Sequence, residues 1–410
     1  LLEGLPFGLT AAQARAQREI ARDLAASHPM QRLLQGDVGS GKTIVAALAM
    51  LQAAENGWQA AMMAPTEILA EQHHRKLAAW FEPLGLELAW LSGSRRKRER
   101  EAALARLQRG EVLLAVGTHA LLEDPVNLPR LALAVVDEQH RFGVRQRLAL
   151  REKGAFGQRP HMLMMSATPI PRTLAMTHYA DLDVSVLDEL PPGRTPIRTR
   201  LVSDARRDEV VARVRAACLG GRQAYWVCPL IEESEALQLQ TAQEPYDTLV
   251  AALPELRVGL VHGRLKSDEK SATMAAFAAG ELDVLVATTV IEVGVDVPNA
   301  SLMVIERCGL AQLHQLRGRV GRGTVESVCI LIYAQPLSQT GRERLRVIFE
   351  QTDGFEIARA DLRIRGPGEF VGARQSGVPL LRYASLEDDG DLIDPARELA
   401  EHLLAHEPAR

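Results

Sequence analysis

The sequence predicts an α/β protein of two tandem parallel-sheet domains with a nucleotide cleft between them. Three observations carry that expectation. Short, near-continuous apolar segments alternate with amphipathic stretches along the 410 residues, the pattern of parallel strands covered on both faces by helices. A proline-rich run, Leu190-Pro191-Pro192-Gly193-Arg194-Thr195-Pro196, divides these segments into two sets and reads as an interdomain connection. The first set carries Gly36-Asp37-Val38-Gly39-Ser40-Gly41-Lys42-Thr43, which fits G-x-x-x-x-G-K-[ST] between an apolar Leu33-Leu34 and a helix-forming Ile44-Val45-Ala46-Ala47. The second set has no such loop. The expected units are residues 1–193, 194–338 and 339–410.

In chain order, Thr10 is the expected N-cap of a helix with Ile20 and Leu24 among its apolar positions. Gln13 follows, and an amide has the paired donor and acceptor that match the exposed edge of adenine. Beyond the glycine-rich loop come apolar segments at 60–64, 88–91, 112–116, 131–136 and 162–165. Polar loops follow their ends: Pro65-Thr66-Glu67, Gly117-Thr118-His119, Asp137-Glu138-Gln139-His140 and Ser166-Ala167-Thr168-Pro169. Functional loops belong at the carboxyl ends of parallel strands. The apolar pattern restarts at 224–228, 258–261, 284–286, 302–305 and 328–332.

The chemistry is expected at these loops. Gly36, Gly39 and Gly41 let backbone N–H groups of the loop, Ser40 included, turn toward phosphate oxygens, and the following helix adds its positive end. Lys42 brings a point charge to the outer phosphates, and Thr43 a hydroxyl to Mg²⁺. Asp137 is expected to hold the metal shell and Glu138 to deprotonate the attacking water. In the second half, Arg319 and Arg322 stand three apart among Gly318, Gly321 and Gly323. An arginine inserted across an interface stabilises the charge that builds on a transferring phosphoryl group. Asp296 is expected to serve the ribose or this arginine turn. Hydroxyls and backbone N–H groups from Thr288 to Asp296 are expected to hold nucleic-acid phosphates without reading sequence, and Thr66, Thr118, Ser166 and Thr168 are expected to serve DNA binding or coupling.

Composition narrows the class. At 47% hydrophobic and 24% charged the chain is ordinary globular protein. No apolar run approaches the ~20 residues a membrane span needs and no secretory signal opens the chain, so the expectation is cytosolic. Cys218, Cys228, Cys308 and Cys329 are scattered with no C-x-x-C pair, which argues against a disulfide framework or zinc site. Net charge is −4, but arginines gather at 95–100, 141–151 and 342–374. The first of these clusters is expected to be a solvated face paired with its glutamates. The chain opens at Leu1-Leu2-Glu3-Gly4 without methionine and is expected to be part of something longer.

The ordered set formed by the glycine-rich loop, Pro65-Thr66-Glu67, Asp137-Glu138-Gln139-His140, Ser166-Ala167-Thr168, Thr288 to Asp296 and Gln315 to Arg322 resembles that of superfamily-two helicases. The wording Asp137-Glu138-Gln139-His140-Arg141-Phe142-Gly143-Val144 and Gly36 to Thr43 is most similar to the RecG family of branched-DNA helicases. Arg365-Gly366-Pro367-Gly368-Glu369-Phe370-Val371-Gly372-Ala373-Arg374-Gln375-Ser376-Gly377 resembles the translocation motif of that family, preceded there by a helical hairpin that residues 339–362 would form. The resemblance implies two RecA-like domains, ATP and Mg²⁺ as cofactors, and a monomeric bacterial, nucleoid-associated motor. It implies action on duplex DNA, stalled forks and Holliday junctions, with Arg374 and Gln375 coupling hydrolysis to movement. The family's N-terminal wedge domain, which grips the junction, has no counterpart in these residues. Two alternatives remain: a transcription-repair coupling translocase, and a nucleotide-gated binding protein or switch GTPase, for which the guanine-selecting N-K-x-D is absent.

Overall fold

A computed structural model of the chain describes residues 1–92, 97–122, 126–138, 142, 159–167, 182–191, 197–228, 235–288, 297, 299–306, 310–321 and 326–365, with 392, 395–396, 399–400 and 402–403. The first sheet holds β1 (Gln31–Gly36), β2 (Gln59–Met63), β3 (Leu88–Leu91), β4 (Leu114–Gly117), β5 (Leu131–Val136), β6 (His161–Ser166) and β7 (Asp183–Leu187). They lie side by side in the order β3-β4-β2-β5-β6-β1-β7, every pairing parallel. Helices α1 (Ala11–Leu24), α2 (Lys42–Glu55), α3 (Glu67–Phe81) and α4 (Lys97–Gln108) accompany it. Successive residues of the strands serve opposite faces. Leu34, Ala60, Met62, Leu133, Val135 and Leu163 join one apolar cluster, while Leu33, Ala61, Met63, Ala134, Val136 and Met162 join another. That two-sided burial is why these strands read as unbroken apolar runs.

The second sheet repeats the plan. Its strands are β8 (Arg198–Ser203), β9 (Gln223–Val227), β10 (Val258–Val261), β11 (Val284–Ala287), β12 (Ala300–Glu306) and β13 (Val328–Tyr333), ordered β10-β11-β9-β12-β13-β8. Counted from the first strand of each unit, both sheets run 3-4-2-5-6-1, so β8 stands where β1 stands in the first. There β8 leads through a single turn, Asp204–Arg206, into α5 (Arg207–Leu219), with no glycine-rich loop, as the sequence predicts. Helices α6 (Glu235–Ala252), α7 (Ser267–Ala278) and α8 (Leu310–Arg317) complete the unit, and the paired helices α9 (Gln339–Glu350) and α10 (Gly354–Arg365) follow it.

A buried glutamine opens the second strand of each unit. Gln59 Nε2 donates to the carbonyls of Leu107 and Val112 at 2.8 and 3.1 Å, while its Oε1 accepts from Arg130 N. Gln223 Nε2 donates to Phe277 and Leu282 at 2.6 and 2.7 Å. Each amide ties the end of a helix to the start of the neighbouring strand.

Two strands, β7 and β8, are not among the apolar segments of the sequence. Both are sheet edges, partly exposed along their length. An edge strand buries one side less, so Asp183 to Leu187 and Arg198 to Ser203 lack the apolar run that marks central strands. The expected boundary at residue 193 falls outside the described residues. Among the described residues, Cys218, Cys228 and Cys329 are buried and in no disulfide. Of the arginines of α4 and its flank, Arg106 pairs with Glu87 and Glu111, and Arg109 with Glu111. No helix among the described residues is long and apolar enough to cross a membrane.

At the opposite end of β1 from the glycine-rich loop, Arg32 is 9% exposed. Its guanidinium lies 2.7 Å from Asp23, 3.5 Å from Glu19 and 3.7 Å from Asp183 and donates to Ser185 Oγ. Removing one partner from a buried charge cluster is costly because the remaining charges lose their counter-ion. Arg32→Met, which keeps an apolar stem, is therefore expected to destabilise the first unit by about 3–5 kcal/mol in urea unfolding; a loss below about 1 kcal/mol would mark the cluster as solvated.

Candidate active site

The carboxyl end of β1 builds the first wall. Gly39 and Gly41 adopt left-handed backbone, with φ of 82° and 86°, conformations that side chains other than glycine rarely take. At Gly36 the constraint is space: an added Cβ would lie 2.5 Å from Ser40 Oγ and 2.8 Å from Leu187 Cβ. Gly41 serves as the N-cap of α2 without a side-chain cap, so the first N–H groups of α2 are left for an anion. Lys42 Nζ donates to the carbonyls of Gly36 and Asp37 at 2.7 and 3.0 Å. Ser40 is fully buried, and its Oγ has no hydrogen-bond partner among the described residues.

Gln13 braces the loop from behind. Thr10 and Gln13 form a reciprocal cap on α1: Thr10 Oγ1 accepts from Gln13 N, and Gln13 Oε1 accepts from Thr10 N. The remaining amide, Nε2, donates to Ser40 O at 2.8 Å. Thr10 is thus the cap that the sequence predicts, while the 3% exposed Gln13 is committed to the loop's backbone.

The end of β5 supplies the carboxylates. Asp137 N donates to Met63 O, which fixes the chain beside β2. Its Oδ2 lies 2.7 Å from His73 Nε2 of α3, and its Oδ1 accepts from Glu138 N at 3.0 Å. Glu138 takes φ of 50°, a left-handed backbone costing roughly 1–2 kcal/mol for such a residue. The Asp137 carboxylate helps hold it there, and the Ala167 N–H after β6 reaches the Glu138 carboxylate.

These neighbours drive the two carboxyls apart. Burial pushes the Asp137 carboxyl up, but His73 by hydrogen bond and charge, Lys42 by charge and the Glu138 N–H outweigh it and hold the group below the usual range. For Glu138, burial and the adjacent Asp137 charge push the carboxyl above the usual range, against the opposing charges of Lys42 and Arg319. Burial lowers the Lys42 ammonium while Glu138, Asp137 and Asp37 pull the other way.

The second sheet closes the site. Gly318, just beyond α8, abuts Val38 of the loop, where an added Cβ would lie 2.8 Å from Val38 Cβ. The next residue, Arg319, is 8% exposed and its charge acts on both Lys42 and Glu138. One cation and the two carboxylates of the first sheet, with an arginine of the second, therefore face one another. Such a constellation can hold a polyphosphate, position a water and stabilise charge on a transferring phosphoryl group.

Other expected residues lie near the same strand ends. Thr66 caps α3, accepting from Leu69 N; Thr118 is buried and accepts from Ala120 N; Ser166 and Thr288 are buried. Thr43 lies in the first turn of α2. Gln139, His140, Thr168, Asp296, Arg322, Arg374 and Gln375 lie outside the described residues. His73 is absent from the sequence expectation. The signal for His73 was present: it falls in the buried stripe Leu69, Ala70, His73, Leu77, Phe81 of α3, where a polar residue calls for a partner.

Three family models match the chain in succession: DEAD/DEAH box helicase over residues 10–177, helicase conserved C-terminal domain over 211–324, and ATP-dependent DNA helicase RecG, domain 3, C-terminal, over 351–410. The chain is 59% identical to the ATP-dependent DNA helicase RecG of Escherichia coli (strain K12) over 408 residues, 98% of this chain and 59% of that protein. To RecG of Bacillus subtilis (strain 168) it is 50% identical, with the same coverage of each. The chain thus spans about three-fifths of the length of these relatives. Among solved structures, RecG bound to a three-way DNA junction superposes with a TM-score of 0.77 at 45% identity, covering 95% of this chain and 51% of that one. Yeast Dbp5 bound to RNA and ADP BeF3, at 18% identity and a TM-score of 0.61, covers 90% of this chain and 98% of that one and shares the fold.

The loop's geometry makes Gly41 the most demanding position. An added Cβ there would lie 2.2 Å from Gln13 Nε2 on backbone that disfavours any side chain. Gly41→Ala is expected to lower nucleotide affinity at least about tenfold while the melting temperature falls by only a few degrees, read by titration with a fluorescent ATP analogue and by thermal unfolding. Retained affinity would show that the loop does not need this conformation.

Proposed function

Because the chain belongs to the RecG family of ATP-dependent DNA helicases, we propose that it hydrolyses ATP in the cleft between its two sheets and couples that reaction to movement on double-stranded DNA. The observation that carries this reading is the placement of Lys42, Asp137 and Glu138 from one sheet against Arg319 from the other. In it, the glycine-rich loop and the start of α2 hold the phosphates, and Lys42 leaves its loop carbonyls for the outer phosphate oxygens. Glu138 takes the proton of the attacking water, its basicity raised by burial and by Asp137. Arg319, and with it Arg322, meets the charge that appears on the phosphoryl oxygens. Asp296 serves the ribose or this arginine turn.

The donor set fits Mg²⁺. Asp137 offers a carboxylate and Thr43 a hydroxyl, both hard oxygens, and Mg²⁺ ordinarily takes its remaining ligands from phosphate and water. Among the described residues no group of three or more His, Cys, Asp or Glu is arranged to hold a metal, consistent with an ion that arrives with its nucleotide. Bound there, the ion would neutralise developing charge on the phosphates. Gln13 acts in this reading chiefly through the loop it braces.

The proposed substrate is branched DNA: stalled forks to be regressed and Holliday junctions to be moved. Support comes from the likeness to a RecG bound to a three-way junction and from the loops at the carboxyl ends of both sheets. Thr66, Thr118, Ser166, Thr168 and Thr288 would shape these loops so that backbone N–H groups reach DNA phosphates. Arg374 and Gln375 would couple the cleft to DNA movement. A monomer in the bacterial cytoplasm, at the nucleoid, is the proposed setting.

Steady-state ATP hydrolysis with and without forked DNA tests the proposal. The rate is expected to rise severalfold or more with DNA and to fall by at least about a hundredfold in Glu138→Gln. The base works deprotonated, and its raised pKa keeps it protonated to higher pH than an ordinary glutamate. The rate should therefore fall on acidification at a pH above the usual carboxylate range. A DNA-independent rate, or Glu138→Gln turning over like the parent, would overturn it.

A further inference from the structure

Three segments far apart in sequence meet at one hydrogen bond outside the chemistry assigned so far. His314 Nε2, on α8 of the second unit, lies 2.5 Å from Asp37 Oδ1 in the glycine-rich loop of the first. The other ring nitrogen, Nδ1, faces Arg317 Nη2 at 3.3 Å. A guanidinium has donors only, so Nδ1 is the acceptor, the proton sits on Nε2, and Nε2 donates to Asp37. A neutral imidazole thus links a cation to an anion. Arg317 in turn donates to the carbonyls of Ile348, Gln351 and Thr352, where α9 gives way to α10. Gly354, the first residue of α10, closes over the pair: an added Cβ would lie 2.4 Å from His314 Nε2 and 3.0 Å from Asp37 Oδ1.

Asp37 is an unusual neighbour for a phosphate site. Its charge acts on Lys42, and Lys42 Nζ already rests on the Asp37 carbonyl. Released from its imidazole donor, the Asp37 carboxylate would compete with phosphate for that ammonium and repel the polyanion. We propose that His314 is a positioning residue for nucleotide binding. Reaching across from the second unit, it holds the Asp37 carboxylate off the phosphate site and keeps Lys42 available. Affinity for ATP then depends on the seating of the second unit against the loop. Through Arg317 and Gly354, the α9–α10 connection is bonded to and packed on that same contact. The inference rests on reading the loop as an ATP site.

The test is ATP binding with Mg²⁺, by calorimetry, to the whole chain and its variants, each checked by thermal unfolding. His314→Ala is expected to weaken binding about tenfold, the size of one lost charge-assisted hydrogen bond. Gly354→Ala, which keeps both groups and wedges them apart, should weaken it similarly. Asp37→Asn should restore either variant to within about threefold of the parent, because a neutral amide no longer opposes phosphate, a coupling that two independent structural lesions would not show. His314→Gln, with a donor near the Nε2 position, should bind close to the parent. Well-folded His314→Ala and Gly354→Ala chains that bind ATP as the parent does would overturn the inference. So would a loss that Asp37→Asn leaves in place. A parent that binds no ATP would overturn the nucleotide reading and this inference together, a result distinct from either.

Discussion

A parallel strand buried on both faces commits every side chain along its length to packing, so polar chemistry can only collect where the strand stops. In this chain that constraint acts on two sheets of the same plan. Leu133 to Val136 alternate between two apolar clusters, and the first residues past the last of them are Asp137 and Glu138. The loop after β1, the Asp137-Glu138 pair after β5 and the Ala167 N–H after β6 are thereby delivered to one rim of one sheet. The second sheet then has only to bring a cation to that rim, which the turn after α8 does with Arg319. Its own first strand, β8, carries no loop of the same kind, so the two units are unequal partners around a single site.

Within that rim the electrostatics are set by how few groups share a small, poorly hydrated space. Two adjacent carboxylates repel, and burial raises the cost of ionising both. His73 and Lys42 resolve the conflict in favour of Asp137, which remains the anion, while Glu138 is left with the higher proton affinity. A left-handed backbone at Glu138, held by the carboxylate of the residue before it, keeps the two carboxylates from sharing one role. One histidine, one lysine and one strained residue thus set the proton affinities of the two carboxyls apart.

The sequence is informative about this architecture wherever burial is two-sided or backbone is special. Central strands stand out because apolar residues run without alternation, and the glycine-rich loop because its spacing serves phosphate. Thr10 was visible as a cap for the same reason, a hydroxyl ahead of a helical pattern. Edge strands β7 and β8 were not, since Arg198 and Arg200 alternate with smaller residues on a half-solvated edge. Side-chain partnerships were the least visible. Nothing local to Gln13 indicates that its amide ends on Ser40 O, and nothing near His314 points to Asp37, a contact between residues 277 apart in sequence. His73 lies between these cases, flagged by its place in an apolar stripe but without a partner that sequence could name.

That the site is completed only by the second sheet is most directly tested at Arg319. Its charge reaches Lys42 and Glu138, yet it belongs to the other unit and would act on charge that develops in the transition state. In single-turnover ATP hydrolysis alongside direct ATP binding, Arg319→Ala is expected to slow the chemical step by about a thousandfold while leaving affinity within about threefold of the parent. An affinity that collapses while the chemical step proceeds at the parental rate would contradict a site shared between the two sheets in this way.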